Sequence, residues 1–239
     1  MFSHPKSFPL TFIKKEKIAR DIYSLYFDRS KEEFDFLPGQ YMRISLSIKD
    51  KPTSHFFTIA SSPLEKKHVM ITVRNRLSDF KQTLLSLQTG EEVSFFGPLG
   101  GFYFDQTDIR EKVFLAGGIG TTPFYSMIKY ITKKKLPIPI TLITSFSTVE
   151  EIIYYNELMQ LDKEFSNIKI IYTLTKPNPV WHGETGRISE SLIKKYMKDI
   201  TKPIYYIVGS GEMVSETEEL LEGIGVSLEN IKVESFTGY

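Results

Sequence analysis

The stretch Val113-Phe114-Leu115-Ala116-Gly117-Gly118-Ile119-Gly120-Thr121-Thr122-Pro123 decides how the second half of this chain is interpreted. Its apolar run 113–116 predicts a buried strand, and the glycines predict a turn that leads straight into a helix. Thr121 or Thr122 suits the N-cap, and Pro123 suits the first helical position because its missing N–H would be unpaired there anyway. A helix that starts behind a glycine turn presents N–H groups and a positive dipole end, so the stretch predicts a phosphate or pyrophosphate site.

Strand and helix patterns alternate throughout the residues that follow Phe104. The predicted strands are 113–116, 138–144, 168–174, 204–208 and 231–236, and the helices between them start near Pro123, Thr148, Ser189 and Glu212. Thr148-Val149-Glu150-Glu151 has the form of a capping box that opens the second helix, with Ile152, Ile153, Leu158 and Met159 turned inward. This alternation indicates a parallel sheet whose ligands bind beyond the carboxyl ends of the strands. The loops expected there are 117–122, 145–148, 175–187 and 209–213.

The first half of the chain has a β pattern. Strands are predicted at 11–18, 22–27, 40–48, 55–60, 68–75 and 91–96. Turn residues such as those of Leu37-Pro38-Gly39-Gln40 separate them, and this spacing indicates an antiparallel barrel or sandwich. One short helix is predicted over 78–88, with Ser78 as its cap.

Composition excludes several classes of protein. The net charge of +1 creates no field that would attract nucleic acid or a membrane surface. The chain has no cysteine, which excludes disulfides and cysteine-ligated metal centres, and no histidine pair has metal-ligand spacing, so no metal is expected. No apolar run predicts a signal peptide or a membrane span, so a cytoplasmic location is the expectation.

Four motifs, in order along the chain, resemble those of the ferredoxin–NADP reductase superfamily. They are Pro38-Gly39-Gln40-Tyr41, His55-Phe56-Phe57-Thr58-Ile59-Ala60-Ser61, Gly97-Pro98-Leu99-Gly100-Gly101-Phe102 and Ala116-Gly117-Gly118-Ile119-Gly120-Thr121-Thr122-Pro123. The resemblance covers nearly the whole chain. It implies an antiparallel Greek-key β-barrel that binds FAD in residues 1–108. It also implies a Rossmann-like α/β domain with a five-stranded parallel sheet that binds NADPH or NADH in residues 109–239.

The resemblance assigns roles around the flavin. It implies that Phe57 lies against the flavin ring and that Thr58 donates a hydrogen bond near the flavin N5. Ser78 and Arg74 would lie near the flavin pyrophosphate. The other residues implied on this side are His55, Phe56 and Gly100.

The resemblance also assigns roles around the nicotinamide nucleotide. Its pyrophosphate would lie on Gly117, Gly118, Gly120, Thr121 and Thr122. The nicotinamide would be bordered by Gly209, Ser210, Gly211 and Met213, and Phe236 would cover the other face of the flavin. The residues implied to act in catalysis are Thr58, Ser210, Glu234 and Phe236.

Three positions depart from the family pattern. His55 stands where the family usually has an arginine paired with the flavin phosphate, and a histidine cannot make the bidentate contact of a guanidinium. Flavin retention is therefore expected to be weaker or pH-dependent, and FMN becomes an alternative to FAD. Phe57 replaces a tyrosine, and Val208-Gly209-Ser210 replaces Cys-Gly-Pro.

The choice between NADPH and NADH depends on charge near the adenosine ribose. Ser147 occupies a position where NADPH-preferring relatives often carry an arginine, and no acidic residue stands directly at that strand end. Arg187 would supply a cation from the neighbouring loop. This balance favours NADPH.

The leading hypothesis is a flavoenzyme that passes electrons from NAD(P)H to a separate acceptor, such as ferredoxin, an oxygenase component or a small molecule. The first alternative is a flavin reductase that releases reduced flavin as its product. The second alternative is a regulatory subunit that binds nucleotide without redox chemistry.

Overall fold

The computed structural model describes residues 4–32 and 34–236. It divides into two compact units, each built around one six-stranded sheet. The first unit comprises Met1–Phe104 and Tyr125–Lys133, and the second comprises Asp105–Phe124 and Lys134–Tyr239. Among the described residues, no helix is both long enough and apolar enough to cross a lipid bilayer.

The first sheet is antiparallel throughout, in the order β4-β3-β6-β1-β2-β5. All six strands predicted for this half are present, and a helix lies where 78–88 was predicted to be helical. The elements are β1 (Lys6–Ala19), β2 (Ile22–Asp28), β3 (Tyr41–Ile48), β4 (Lys51–Thr58), β5 (His68–Arg74), α1 (Asp79–Ser86) and β6 (Glu92–Leu99).

The β3–β4 hairpin shows how the local sequence sets this sheet. Lys49 and Asp50 both have positive φ, of 50° and 61°, which is the geometry of a two-residue type I′ turn. The turn sets the register in which Met42 pairs with Phe57. The core between the strands is rich in phenylalanine, and α1 covers it with buried Phe80 and Leu84.

The second sheet is parallel throughout, in the order β10-β9-β8-β7-β11-β12. Its elements are β7 (Lys112–Gly117), α2 (Thr121–Lys134), β8 (Ile140–Phe146), α3 (Tyr155–Glu164), β9 (Ile168–Leu174), β10 (Glu184–Thr185), α4 (Glu190–Tyr196), β11 (Ile204–Gly209), α5 (Gly211–Gly223) and β12 (Ile231–Ser235). The five predicted strands are present, and the two-residue β10 is additional. The predicted fold class is confirmed.

The strand order places a topological switch point between β7 and β11. From β7 the chain builds the sheet outward through β8 and β9 to β10, and it then returns to add β11 and β12 on the other side. Connections therefore leave the carboxyl ends of β7 and β11 in opposite directions, which opens a crevice between them.

The predicted N-cap at Thr121 or Thr122 is wrong. A 3₁₀ turn over Gly118–Gly120 leads into α2 without a break. The Thr121 hydroxyl donates to the carbonyl of Gly118, and the Thr122 hydroxyl donates to that of Ile119, each at 2.9 Å. A capping hydroxyl accepts from an N–H further along the helix, whereas these donate backward. Glycine permits the earlier turn because Gly118 adopts a φ of 54°.

The predicted capping box at Thr148 is also wrong. Residues Val149–Glu151 form a 3₁₀ turn, the chain is extended at Ile152, and α3 begins only at Tyr155. The Thr148 side chain makes no capping hydrogen bond. Ile152 and Ile153 are buried in the extended segment, so burial of two β-branched side chains outweighs the local capping preference.

Candidate functional site

The predicted flavin residues His55–Thr58 lie on β4, an edge strand that pairs only with β3. Successive side chains of a strand point to opposite faces. His55 and Phe57 therefore share the face of the buried Met42, whereas Phe56 and Thr58 lie on the other face. The structure thus separates the predicted flavin residues into two pairs.

The aromatic residue Phe80 of α1 brings His55 and Phe57 together. Its ring centroid lies 4.5 Å from that of His55 in an edge-on contact, and 6.1 Å from that of Phe57 with the planes nearly parallel. Phe57 is only half-buried, so its ring keeps a surface on which a planar group can stack.

The opposite face of β4 is more open. Phe56 is 62% exposed and contacts the Tyr41 ring edge-on at 5.4 Å. Thr58 is buried and pairs with Tyr41 in the β3–β4 ladder. Thr58 is therefore rigidly held at the end of the strand, as a hydrogen-bonding residue requires.

Positive charge gathers at the start of α1. Ser78 caps this helix by accepting a hydrogen bond from the Lys81 N–H at 3.3 Å, which confirms the predicted cap. Burial, together with the nearby charges of Arg76 and Arg74, lowers the pKa of the Lys81 side chain. Arg76 and Lys81 were missed by the sequence reasoning, although their positions on either side of Ser78 were a readable signal.

Two of the motifs interlock with each other in the first unit. The Gln40 side-chain amide donates to the Gly100 carbonyl at 3.1 Å. A Cβ on Gly100, whose φ is 95°, would lie 2.7 Å from the Tyr41 ring. Gly100 is therefore required for the close approach of Tyr41, whatever else it contacts.

The switch point of the second sheet is lined by glycine and a thioether. Gly117 ends β7 and Gly209 ends the adjacent β11. A Cβ on Gly209 would lie 2.5 Å from the Met213 sulfur, and one on Gly117 would lie 3.5 Å from it. Ser210 caps α5 by accepting from the Met213 N–H at 3.4 Å, and Gly211 is the first residue of that helix.

The remaining residues of the glycine turn serve packing. A Cβ on Gly120 would lie 2.4 Å from the Val208 carbonyl oxygen, so only glycine fits between α2 and β11. Thr121 is fully buried, and its hydroxyl also bonds that of Thr144 at 2.7 Å. Among the predicted pyrophosphate residues, Gly117 and Gly118 are the ones that remain half-buried.

The end of β12 lies beside the same crevice. The Phe236 N–H donates to the Gly209 carbonyl at 2.9 Å, and Glu234 pairs with Val208 across the sheet. The Glu234 Oε2 atom is buried and has no hydrogen-bond partner among the described residues. Burial raises the pKa of Glu234 to about 7, so this carboxyl group changes its protonation state near neutral pH.

The two residues invoked for nucleotide preference lie in different surroundings. Ser147 follows β8 and accepts the Lys176 N–H through its carbonyl at 2.9 Å. Arg187 forms an ion pair with Glu216 of α5, with Nη1 to Oε2 at 2.9 Å. Both side chains are largely exposed, so this is a surface ion pair that competes with other anions for Arg187.

Comparison with family models matches both halves of the chain. Residues 9–104 match the oxidoreductase FAD-binding domain, and residues 114–219 match the oxidoreductase NAD-binding domain. The chain belongs to the ferredoxin–NADP reductase superfamily. Among solved structures, the ferredoxin NADP+ reductase from Neisseria gonorrhoeae with bound FAD and NADP has the same fold. Its TM-score is 0.84 at 17% identity, covering 96% of this chain and 98% of that one.

Curated relatives of the superfamily include components of larger systems. One of them, a subunit of the Na(+)-translocating NADH-quinone reductase of Pseudoalteromonas atlantica, is 30% identical over 79% of this chain and 50% of its own length. The glycine betaine monooxygenase reductase subunit of Pseudomonas aeruginosa is 26% identical over 85% of this chain and 57% of its own. The chain thus spans about half the length of the curated relatives it matches.

The residues present fit the two cofactors of the superfamily, FAD and a nicotinamide nucleotide. In the first unit, the cations around the α1 N-terminus suit a diphosphate, and the half-buried Phe57 ring suits a planar heterocycle. In the second unit, the glycines at the switch point leave room for a nucleotide backbone at a helix start. The chain is an FAD- and NAD(P)-binding oxidoreductase of this superfamily.

Proposed function

We propose that this protein oxidises NADH with bound FAD and passes the electrons to a separate acceptor. The observation that carries the proposal is the half-buried Glu234 beside the glycine-lined switch point, whose carboxyl Oε2 atom is buried and has no hydrogen-bond partner among the described residues. A passive nucleotide binder has no need of a desolvated acid at this position. When bound, FAD accepts a hydride from the nicotinamide and releases electrons to the acceptor.

On the flavin side, the residues of this chain bind and orient the cofactor. Lys81, Arg76 and Arg74 neutralise the diphosphate, and the N–H groups that open α1 donate to its oxygens. Phe57 would supply the stacking surface for the flavin ring, and Thr58 would supply a hydrogen-bond donor to it. The buried position of Thr58 supports this role because a rigid donor needs no reordering during the reaction.

On the nucleotide side, the backbone carries most of the binding. Gly117 and Gly118 approach the pyrophosphate, and the Met213 sulfur, together with Gly209 and Ser210, borders the nicotinamide. Gly120, Thr121 and Thr122 act indirectly by holding the turn in shape. The Phe236 backbone is tied to Gly209, which holds this aromatic residue at the end of β12 beside the proposed nicotinamide position.

The ion pair of Arg187 supports NADH over NADPH. A 2′-phosphate needs an uncompensated cation, whereas Arg187 already pairs with Glu216 and Ser147 brings no charge. We expect kcat/KM to be higher for NADH. Glu216→Gln releases Arg187 and should improve the use of NADPH relative to NADH by about threefold. An unchanged ratio of kcat/KM for NADPH and NADH in this variant would show that Arg187 does not set the nucleotide preference.

The separate acceptor is proposed to be a ferredoxin or an oxygenase component. The 239 residues of the sequence contain no cysteine and so provide no ligands of that kind for an iron–sulfur centre. The glycine betaine monooxygenase reductase subunit supports the proposal, because its name describes a reductase that serves an oxygenase.

The test is an absorbance spectrum of the purified protein, followed by anaerobic addition of NADH and NADPH in parallel. A retained flavin band that NADH bleaches faster supports the proposal. A flavin band that neither nucleotide bleaches would refute it. Glu234→Gln should bind flavin as well as the wild type does but should be bleached about tenfold more slowly.

A second candidate is a flavin reductase, favoured by His55 at the position of the family arginine. His55 is exposed and packs edge-on against Phe80, so it offers less to a phosphate than a guanidinium does. A colourless protein that oxidises NADH only when free flavin is added would select this function.

A further inference from the structure

A groove of about 210 Å³ opens in the second unit, beside the middle of β9. It is formed by α3, β9, the segment before β10 and α4. The proposed cofactor residues end β7, β11 and β12, whereas this groove lies at the opposite side of the sheet order. Its principal side chains are Tyr155, Lys169, Tyr172, Trp181, His182 and Tyr196.

The groove exists because the last strand of the sheet is very short. β10 pairs with β9 only at Thr173 and Leu174, so residues 168–172 have no strand beside them on that edge among the described residues. The edge does not invite another strand, because the Ile170 N–H already donates to Asp162 Oδ1 at 2.7 Å. A small molecule is therefore a better occupant than a peptide strand.

The walls of the groove present aromatic rings. Tyr155 and Tyr172 lie with ring centroids 5.1 Å apart. The polar atoms of Tyr172 and Trp181 are directed to protein partners. The Tyr172 hydroxyl donates to the Ile153 carbonyl at 3.4 Å, and the Trp181 indole N–H donates to the Glu184 carbonyl at 2.8 Å. What remains for a ligand is ring surface, which suits a planar aromatic group.

The Trp181 ring is held by its own loop. A Cβ on Gly183 would lie 2.3 Å from the Trp181 ring, so the glycine lets the indole lie flat against the backbone. The same loop supplies Glu184, which accepts from the Tyr196 hydroxyl and pairs with Lys195 at 2.6 Å. Both aromatic residues on this side of the groove are therefore fixed through Glu184.

The charged groups facing the groove favour a ligand that carries a negatively charged hydrogen-bond acceptor. Two of the nearby acids have protein partners, since Glu184 pairs with Lys195 and Asp162 accepts the Ile170 N–H, and a third, Glu157 of α3, lies near Tyr172. Lys169 is exposed and lies at the limit of an ion pair with Asp162, at 4.0 Å. The Lys169 ammonium, with the exposed His182 nearby, is the donor most available to a ligand.

We propose that this groove binds a planar aromatic carboxylate of one or two rings. The groove is open to solvent, and its volume of about 210 Å³ accommodates one or two rings. The exposed ring of Tyr155 and the half-buried ring of Trp181 pack against the ligand, and Lys169, exposed at the sheet edge, pairs with its carboxylate. The wall exposes polar and apolar atoms in similar measure, which suits a ligand that combines a ring with a polar group.

The test uses the single tryptophan of the chain as its reporter. The FAD-loaded protein is labelled with fluorotryptophan and titrated with naphthoate, without NADH, while fluorine NMR follows Trp181. We expect a saturable shift of its resonance. Tyr155→Ser and Lys169→Met should each weaken binding about fivefold, whereas Tyr103→Ser and Lys198→Met, at exposed sites outside the groove, should not.

Three results would overturn the proposal. The first is the absence of any shift at about 5 mM naphthoate, a concentration at which even weak specific binding saturates. The second is equal binding by the Tyr155→Ser and Lys169→Met variants. The third is binding of neutral naphthol as tight as that of naphthoate, which would remove the role of Lys169. Because no NADH is present, these results are independent of the proposed reductase activity.

Discussion

The two units form their candidate sites in different ways. In the first unit, the site residues are side chains, carried on the edge strand β4 and at the start of α1. In the second, the site is largely main chain, since glycines end the strands on both sides of the switch point. A side-chain site is altered by exchanging one functional group for another, whereas a main-chain site is altered by adding atoms where the backbone approaches closely.

This difference predicts contrasting responses to mutation. Substitutions at His55, Arg76 and Lys81 in the first unit should change cofactor affinity and leave folding nearly intact, because these side chains are exposed or half-buried. Substitutions in the second should act on stability as well, because its glycines and Glu234 are packed within the sheet.

Gly120→Ala should have the largest effect. Its Cβ would meet the Val208 carbonyl oxygen at 2.4 Å, so α2 and β11 must separate. We expect a loss of about 3 kcal/mol in the free energy of unfolding, measured by denaturant titration. Gly223→Ala, at a helical glycine with open space around it, is the control and should be neutral or stabilising by about 0.5 kcal/mol. Equal stability of the two variants would contradict the packing role of Gly120.

Glu234→Gln should change how stability depends on pH. The pKa of Glu234 rises from an ordinary value of 4.5 to about 7 in the folded chain, so the folded state holds this proton more tightly. The contribution of Glu234 to the free energy of unfolding is present in full below pH 4.5 and is lost as the pH rises through about 7. The stability of the variant should not depend on pH in this way. Above pH 7 the variant should be more stable than the wild type, by up to about 3 kcal/mol.

The measurement is the denaturation midpoint between pH 4 and pH 8, with Glu229→Gln, an exposed carboxyl in the same unit, as the control. Parallel pH profiles for the wild type and Glu234→Gln would show that Glu234 is solvated in the folded protein.

Lys81→Ala and Arg76→Ala should each weaken FAD binding by about tenfold. Both remove positive charge from the start of α1, where the pKa of Lys81 is lowered by burial and by its cationic neighbours. Flavin fluorescence during titration of the apoprotein gives the dissociation constant. Lys67→Ala, an exposed lysine elsewhere in the first unit, should bind FAD as the wild type does. Unchanged affinity in the Lys81 and Arg76 variants would place the diphosphate elsewhere.

His55→Arg should have the smallest effect and the opposite sign. The guanidinium restores a bidentate phosphate contact, so flavin retention at pH 8 should improve by about threefold. Retained flavin is measured after gel filtration at that pH. Equal retention by the wild type and the variant would refute the view that His55 weakens flavin binding.

The strands were predictable because each unit has a regular pattern of burial. The alternation in β2 and the buried runs in β7 and β11 come directly from their side chains, and the predicted strand 168–174 matches β9. The helix starts were less predictable. At Thr148 the capping box competed with burial of Ile152 and Ile153, which are placed by contacts made far along the chain.

The candidate site was predicted in composition but not in arrangement. Motif resemblance named the glycines of the switch point and the aromatic residues of β4. It did not separate Phe56 from Phe57, which requires knowing which face of the strand meets the core. It also left Arg187 as a free cation, because its partner Glu216 is distant in sequence and reaches it only through α5.

The sequence by itself determined the order of the two units, the parallel and antiparallel character of their sheets, and the glycine turn at the switch point. These features are local, since they follow from periodicity and from the conformational freedom of glycine. Only the tertiary structure decided that Gly120 is needed for packing, that one carboxyl oxygen of Glu234 is buried and that Arg187 pairs with Glu216. Those properties depend on neighbours brought together by folding, and burial and charge pairing are set by such neighbours.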